Sequence, residues 1–293
     1  MREEIAKRTE EIERVITSYL PKETGYQKTI MQAMNYSVQS GGKRLRPMLM
    51  LETYRLFGGT SKAIEPFLAA LEMIHTYSLV HDDLPAMDND EYRRGRKTTH
   101  VVYGEAMAIL AGDALLNYAY ETAAGAFVSE PQNTDIAKAM LVLTKKAGIY
   151  GMIGGQVVDV ESEGTKIDKQ ELEFIHIHKT SALLESAMVI GAILAGASEK
   201  EQQTVELAAR KIGLAFQIQD DILDIIGTQE ELGKPIGSDE KNQKNTYVAL
   251  EGMEKAKAEV KRLSESALSE LKELPYENEF LYQLIEQLIE RKK

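Results

Sequence analysis

Apolar residues recur at helical spacing along most of the chain, and segments with the alternation of a strand are scarce. Near the start, Ile5, Ile12 and Ile16 fall on one side of a helix, with charged residues between them. Similar spacing predicts helices over 3–20, 25–39, 44–57, 63–83, 98–126, 133–159, 168–197, 200–226, 246–272 and 276–291. We therefore predict an all-α fold, a bundle of about ten or more helices.

The breaks between these helices are short, with one exception. Gly41 and Gly42 mark a typical break between two predicted helices. The longest irregular segment, 227–245, is rich in glycine, lysine and acids and follows an acidic motif. It is either a lid over a site or a mobile surface connection. Because no fixed-period repeat or low-complexity linker interrupts the pattern, we predict one domain over 1–293.

The predicted helix over 105–127 is apolar around most of its circumference. Such a helix is normally buried on several sides. It therefore lies either at the centre of the bundle or at an interface between subunits. The second possibility predicts a homo-oligomer.

Charge and composition exclude several classes of protein. Among 293 residues, acids outnumber bases 46 to 35, which gives a net charge of −11 and argues against nucleic-acid binding. The absence of cysteine rules out disulfides, thiolate catalysis and cysteine zinc sites. Residues 1–20 lack the uninterrupted apolar core of a signal peptide, and no apolar run approaches the roughly 20 residues of a membrane span. We predict a soluble, cytoplasmic protein without stable membrane insertion.

The first cluster of carboxylates follows the apolar segment 67–80 directly. Its members are Asp82, Asp83, Asp88, Asp90 and Glu91. Crowded carboxylates repel one another, so they need cations or extensive solvation. An acidic surface loop would be the ordinary interpretation, but the buried helix before it favours a cation-binding site.

The second cluster lies within an apolar helical segment, 216–227. Asp220, Asp221 and Asp224 fall within an arc of about 100° on one helix face, and Gln217 precedes them by one turn. Carboxylate ligands without cysteine suit a hard cation such as magnesium, which binds few carboxylates together with waters and phosphates. The two clusters together predict opposed metal-binding walls around one diphosphate.

Basic residues gather in two short segments of this acidic chain, 41–47 and 93–97. Their cationic side chains are Lys43, Arg44, Arg46, Arg93, Arg94, Arg96 and Lys97. One guanidinium group can bind two phosphate oxygens at once, and a lysine acts as a point charge. The glycines beside them do not complete a nucleotide P-loop. Lys179, Lys234 and Lys244 are more scattered candidates for the same role.

The motifs of this chain, and the order in which they occur, resemble those of trans-type prenyl diphosphate synthases, most closely the bacterial farnesyl diphosphate synthases. The resemblance covers most of the chain and rests on GGKRLRP (41–47), EMIHTYSLVHDDLPAMDNDEYRRG (72–95), GEAMAILAGDALL (104–116), GGQVVD (154–159), HKTSAL (178–183), FQIQDDILD (216–224), LGKPIGSD (232–239) and KNTY (244–247). It implies an all-α, isoprenoid-synthase-type bundle around a deep central cavity, as a homodimer. It also implies several Mg²⁺ ions in each active site, with Mn²⁺ as a possible substitute.

The resemblance assigns roles to individual residues. The metal ligands would be Asp82, Asp83, Asp88, Asp220, Asp221 and Asp224. Isopentenyl diphosphate would be bound by Lys43, Arg46, His75 and Arg94. The allylic diphosphate would be bound by Arg93, Lys179, Thr180, Gln217 and Lys234. Turnover would depend directly on Asp82, Asp83, Asp88, Arg93, Lys179, Asp220 and Lys234.

The implied activity is condensation of isopentenyl diphosphate with dimethylallyl or geranyl diphosphate to give farnesyl diphosphate. Four residues, Leu84–Met87, separate Asp83 from Asp88, an insertion seen in bacterial farnesyl enzymes and also in plant-type geranylgeranyl enzymes. By resemblance, Tyr77 and its neighbour Ser78 limit chain length, which favours the fifteen-carbon product. Geranylgeranyl or geranyl diphosphate synthesis remains the alternative.

Two other classes are compatible with acidic motifs of this kind. A class I terpene cyclase shares the Asp-rich site but lacks the isopentenyl-binding basic segments. A non-catalytic partner subunit commonly has damaged Asp motifs, whereas both are intact here. Cyclised product made without isopentenyl diphosphate would indicate the first, and no turnover by the isolated protein would indicate the second.

Overall fold

Helices form nearly all of the regular structure in the computed structural model, which describes residues 1–226 and 245–289. The α-helices are α1 (Arg2–Ser18), α2 (Lys28–Val38), α3 (Leu45–Leu56), α4 (Ile64–Asp82), α5 (Thr99–Tyr103), α6 (Glu105–Ser129), α7 (Asp135–Ala147), α8 (Met152–Glu161), α9 (Lys169–Ile175), α10 (Ala182–Leu194), α11 (Glu199–Ile226), α12 (Tyr247–Glu251), α13 (Met253–Lys272) and α14 (Glu279–Ile289). A π-helical turn, His176–Ser181, joins α9 to α10, and strands β1 (Tyr92–Arg93) and β2 (Arg96–Lys97) form a hairpin. The predicted all-α fold is confirmed.

The chain divides into two compact units. The first unit contains Met1–Leu51 and Ser61–Met140, and the second contains Glu52–Thr60 and Leu141–Lys293. This division leaves the prediction of one domain over 1–293 untested. The deep central cavity likewise stays a prediction.

In the first unit, α4 packs along α6. Most of α4 is buried around its whole circumference, because consecutive apolar residues such as Phe67, Leu68, Ala69 and Ala70 point to different sides of the helix and all are buried. The stripe of α6 that is fully buried consists mainly of small side chains: Ala108, Ala111, Leu115, Ala119 and Ala123. Small side chains on one helix let the neighbouring backbone approach closely.

The opposite face of α6 differs from the prediction of burial on several sides. Ile109, Leu110, Phe127 and Val128 are all exposed, and Val128 reaches 85% of its maximum exposure. The helix therefore buries one stripe within this chain and leaves apolar residues outside. This exposure is compatible with a subunit interface, which stays a prediction.

In the second unit, α10 is buried at every position, and α11 packs against both α10 and α13. The continuous helical segment Lys169–Leu194 is the one described helix that is long and apolar enough to cross a membrane by length and composition. Its apolar window is 78% buried inside the protein. It is thus a core helix of this fold, and its composition is no argument for a membrane span.

Several predicted helices are interrupted where the backbone turns at a glycine. Gly104 (φ +87°) divides the predicted 98–126 helix into α5 and α6, and Gly252 (φ +84°) divides 246–272 into α12 and α13. Positive φ is readily adopted by glycine alone, so a helix breaks there without strain. Helical periodicity continued across both breaks, which is why the sequence pattern missed them.

The hairpin was not predicted. Tyr92 pairs with Lys97 and Arg93 with Arg96, and the two residues of the turn, Arg94 (φ +53°) and Gly95 (φ +74°), both have positive φ. That is the backbone of a type I′ turn, which usually requires asparagine or glycine at both positions. Because an arginine occupies the first position, the sequence signal was incomplete.

Candidate active site

The glycine turn at 41–42 holds the side chain of Arg94. Gly41 and Gly42 have φ of +86° and +143°, and the Arg94 guanidinium donates a hydrogen bond to the carbonyl oxygen of Gly41. A Cβ atom at position 42 would lie 2.5 Å from Nη1 of Arg94. The positive φ at position 42 favours glycine, and a side chain there would displace the Arg94 guanidinium.

Arg46 contacts His75 on α4. Its Nη1 lies 3.3 Å from His75 Nε2, and because a guanidinium can only donate, Nε2 of His75 accepts. Burial lowers the pKa of His75 well below its usual value, and the charge of Arg46 lowers it further. His75 is thus neutral, and the group formed by Lys43, Arg46, His75 and Arg94, which we call the basic cluster, has three formal positive charges.

The hairpin that supplies Arg93 and Arg94 is fixed to α2 through one tyrosine. The Tyr36 hydroxyl donates to the Lys97 carbonyl over 2.6 Å, and the Arg96 guanidinium lies 4.6 Å from the centre of the Tyr36 ring. Arg96 also donates to the carbonyl of Gln39 at 3.1 Å. These contacts fix the position of the hairpin on α2.

The first acidic motif begins where α4 ends. Asp82 is half-buried, Asp83 is buried and Asp88 is exposed. The four residues Leu84–Met87 form a turn, which brings the Asp88 amide within 2.9 Å of the Asp82 carbonyl oxygen, to which it donates. The insertion is therefore accommodated by a turn after the helix.

Arg93 compensates the buried carboxylate of this motif. Its Nε and Nη2 both lie 2.7 Å from Asp83 Oδ1, and its Nη2 lies 3.6 Å from Asp90. Burial raises the pKa of Asp83 to about 6, although the charge of Arg93 acts in the opposite direction. The predicted ligand for the allylic substrate thus pairs with a predicted metal ligand in this structure.

The second acidic motif belongs to the second unit and lies on α11. Asp220 is half-buried, whereas Asp221 and Asp224 are each 4% exposed. Asp221 Oδ2 accepts a hydrogen bond from the Tyr247 amide at 2.7 Å. The three carboxylates therefore differ: Asp220 is the most accessible, and Asp221 also fixes the start of α12.

The π-helical turn places Lys179 and Thr180 beside this motif. Lys179 Nζ donates to Asp159 Oδ2 at 2.5 Å, and the Thr180 hydroxyl donates to Gln217 Oε1 at 2.9 Å. Such turns often occur at functional sites because they displace side chains from the regular helical positions. Lys179, Thr180, Gln217 and Asp221 line one pocket together with Asp159.

His176 contributes a neutral ring to the same pocket. It lies 3.9 Å from Asp221 Oδ2, but burial lowers its pKa to about 4, so it carries no charge at neutral pH. Its Nδ1 is buried without a hydrogen-bond partner among the described residues. Among the described residues that line this pocket, the cationic group is therefore Lys179.

Tyr77 and Ser78 lie on α4 before the first motif. Tyr77 is 6% exposed, and its ring meets His81 edge to face at a centroid distance of 5.8 Å. Within the described residues its hydroxyl has no hydrogen-bond partner, and burial raises its pKa. The Ser78 hydroxyl donates to the His75 carbonyl of its own helix at 2.9 Å.

Two residues of these sites make contacts that the sequence did not predict. Asp159 stands in the GGQVVD segment and holds Lys179, but its partner is distant in sequence. Arg44 was grouped with the anion-binding side chains, yet it is 6% exposed and paired with buried Glu72. Lys234 and Lys244 lie outside the described residues.

The carboxylates present suit a hard divalent cation. Both motifs offer oxygen ligands only, and Asp82 and Asp220 keep part of their surface exposed. Across residues 1–226 and 245–289, no three acidic or histidine side chains converge as a protein-only metal site would require. Magnesium needs no such cage, because waters and substrate phosphates usually complete its coordination.

Known proteins resemble this chain over most of its length. It is 48% identical over 265 residues to a geranylgeranyl diphosphate synthase from Cyanophora paradoxa, covering 90% of this chain and 87% of that protein. It is 45% identical over 251 residues to a farnesyl diphosphate synthase from Geobacillus stearothermophilus, covering 84% of this chain and 82% of that one.

A solved structure and a family model agree with these relatives. The structure of a geranyltransferase from Helicobacter pylori complexed with magnesium and isoprenyl diphosphate matches with a TM-score of 0.84 at 31% identity, covering 97% of this chain and 95% of that chain. The sequence model of the polyprenyl synthetase family matches residues 27–285. This chain belongs to the polyprenyl synthetase family of prenyltransferases.

Proposed function

We propose that this prenyltransferase makes farnesyl diphosphate from isopentenyl diphosphate and dimethylallyl or geranyl diphosphate. The observation that carries the fifteen-carbon assignment is Tyr77, a buried aromatic ring on α4 that precedes Asp82 by five residues. Five helical residues correspond to about 7.5 Å along the axis, and the assignment of this ring as the limit on chain length comes from the resemblance to farnesyl-type enzymes. The names of the relatives are divided between fifteen- and twenty-carbon products, so a geranylgeranyl product is the second candidate.

The basic cluster binds the diphosphate of isopentenyl diphosphate in this proposal. Lys43, Arg46 and Arg94 supply the charge, and neutral His75 orients Arg46 by accepting its hydrogen bond. Each guanidinium can donate two parallel hydrogen bonds to phosphate oxygens. The cluster therefore determines the orientation of the bound molecule and contributes to its affinity.

In this proposal Arg93, Lys179, Thr180, Gln217 and Lys234 bind the allylic diphosphate, and the carboxylates of the acidic motifs would hold metal ions for it. Magnesium, or manganese in its place, would neutralise charge on that diphosphate when bound to the motif carboxylates. Lys179 stabilises the negative charge that develops as the diphosphate departs. Buried apolar side chains of α4 exclude water from the carbocation.

The bonds and electrons of the reaction balance without a protein base. The allylic carbon–oxygen bond breaks, and its electron pair leaves with the diphosphate. The double bond of isopentenyl diphosphate then supplies the electrons of the new carbon–carbon bond. Loss of one proton restores a double bond, and the released diphosphate is the acceptor we propose for that proton.

Product analysis tests the chain length. With isopentenyl and dimethylallyl diphosphates and Mg²⁺, we expect a dominant fifteen-carbon product by chromatography. Tyr77→Ala is expected to extend it to twenty carbons or more, because the blocking ring is removed. Tyr77→Phe is the matched control, since it removes only a hydroxyl without a partner among the described residues and should leave the product unchanged.

A dominant twenty-carbon product from the unaltered protein would overturn the farnesyl assignment and leave the prenyltransferase class intact. Cyclised product formed without isopentenyl diphosphate would instead identify a terpene cyclase. No turnover at all would favour the non-catalytic subunit.

We also propose that the protein is a cytoplasmic homodimer. The exposed apolar side chains of α6, among them Ile109, Leu110 and Phe127, form a surface that a second copy would cover. Light scattering should then give twice the chain mass of 32.7 kDa. Leu110→Glu should shift the protein towards the mass of a single chain, and an unchanged mass in that variant would place the interface elsewhere.

A further inference from the structure

Arg44 adopts a strained backbone conformation between two residues of the basic cluster. It lies directly before α3 with a φ of +48°, and its side chain is almost completely buried. Left-handed backbone is unfavourable for a residue with a long side chain and persists only where the surroundings fix it. Lys43 precedes Arg44, and Arg46 follows two residues later.

Contacts from three helices fix the Arg44 side chain. Nη1 donates to Glu72 Oε1 on α4 at 2.7 Å, and Nη2 donates to the Val38 carbonyl at the end of α2 at 2.7 Å. Nε lies 3.5 Å from Glu13 Oε1 on α1. A buried guanidinium that is occupied in this way is not available to a substrate phosphate.

The partner of Arg44 lies one helical turn before the partner of Arg46. Glu72 and His75 are three residues apart on α4, so they lie on the same side of that helix. Arg44 holds Glu72 while Arg46 donates to His75, so the loop before α3 is joined to α4 at two adjacent points. Any shift of Arg44 therefore moves Lys43 and Arg46 relative to His75.

We propose that Arg44 is a positioning residue that sets the geometry of the basic cluster, and with it the affinity for isopentenyl diphosphate, without contacting that substrate. The inference rests on the proposed function of the cluster. Arg44 acts through the planar fork of its side chain, which reaches a carboxylate and a carbonyl at once. A lysine has the charge but not this fork.

The deciding variant is Arg44→Lys, because it keeps the positive charge and removes the two-pronged contact. We expect kcat/KM for isopentenyl diphosphate to fall about tenfold to a hundredfold through a raised KM, as misplacement of binding groups does. The KM for the allylic diphosphate should stay within about twofold, since its ligands are other residues. Hydrogen exchange of the peptide spanning 39–46 should become faster.

Arg210→Lys is the matched control. Arg210 also donates through two nitrogens to a buried carboxylate, Glu185, at 2.9 and 3.3 Å, but it belongs to the second unit. Its replacement should lower the melting temperature and leave both KM values unchanged. If Arg44→Lys does not fold, Glu72→Gln replaces it, because glutamine keeps an acceptor for Arg44 while removing the charge, and we expect the same selective rise in KM.

The outcomes separate this inference from the proposed function. An unaltered protein without isopentenyl-dependent turnover would reject the function. An active protein whose Arg44→Lys variant melts earlier with both KM values unchanged would reduce Arg44 to a stability role. Equal rises of both KM values would also overturn the inference.

Discussion

Replacement of Asp82 or Asp220 by alanine should lower kcat about a thousandfold, the scale of losing one preorganised electrostatic contact to the transition state. Both carboxylates are half-buried, so each can present oxygen atoms to a cation while the apolar part of its helix stays packed. Removal of either should abolish stabilisation of the departing diphosphate. Steady-state kinetics at saturating Mg²⁺ would measure the loss.

The fold of these variants should remain intact, because neither side chain is part of the buried core. Circular dichroism should show unchanged helix content in both. Glu254→Ala is a suitable control, since that carboxylate lies on α13 in the second unit with its side chain 89% exposed. Near-normal rates in both Asp82→Ala and Asp220→Ala would refute a metal-binding role for the two motifs.

The second large effect, on both stability and activity, is expected when alanine replaces Gly155 and so adds one methyl group. A Cβ atom there would overlap the backbone nitrogen of Lys179 and lie 2.7 Å from the carbonyl carbon of His178. Because these are backbone atoms, they cannot rotate away as a side chain would. Gly155→Ala should therefore destabilise the protein by about 3 kcal/mol and, by moving Lys179, lower kcat/KM about a hundredfold.

Denaturant unfolding and steady-state kinetics would measure both effects. Gly125→Ala is the matched control: it adds the same methyl group inside helix α6, where no described atom beyond the local helix backbone lies within 4 Å. That variant should be more stable by about 0.5–1 kcal/mol, because alanine is the better helix former. If the two variants were equally stable and active, the close packing of α8 on the π-helical turn could not be important.

The sequence predicted those features that depend on local periodicity. Helical spacing was sufficient for the all-α fold. The crowding of Asp82 with Asp83 predicts a cation site, and that site stays a prediction. Helix breaks at Gly104 and Gly252 were missed because apolar spacing continues across them. Those breaks depend on backbone dihedral angles, which a hydrophobic pattern does not report.

The arrangement of the basic side chains depends on contacts between distant segments. Arg44 and Arg46 look equivalent in the sequence, but one is buried against Glu72 and the other contacts His75. Arg94 is held at Gly41 by a hairpin whose turn has an unusual first residue. Which cation is structural and which faces a ligand could not be read from charge alone.

The ion pair between Lys179 and Asp159 has a consequence for product release. In the proposed reaction an arriving diphosphate competes with Asp159 for the ammonium group, so part of the attraction is offset by that competition. When inorganic diphosphate dissociates, Asp159 is again within 2.5 Å to take its place. The lysine is therefore never left without a counter-ion, and we expect this exchange to moderate inhibition by the released diphosphate.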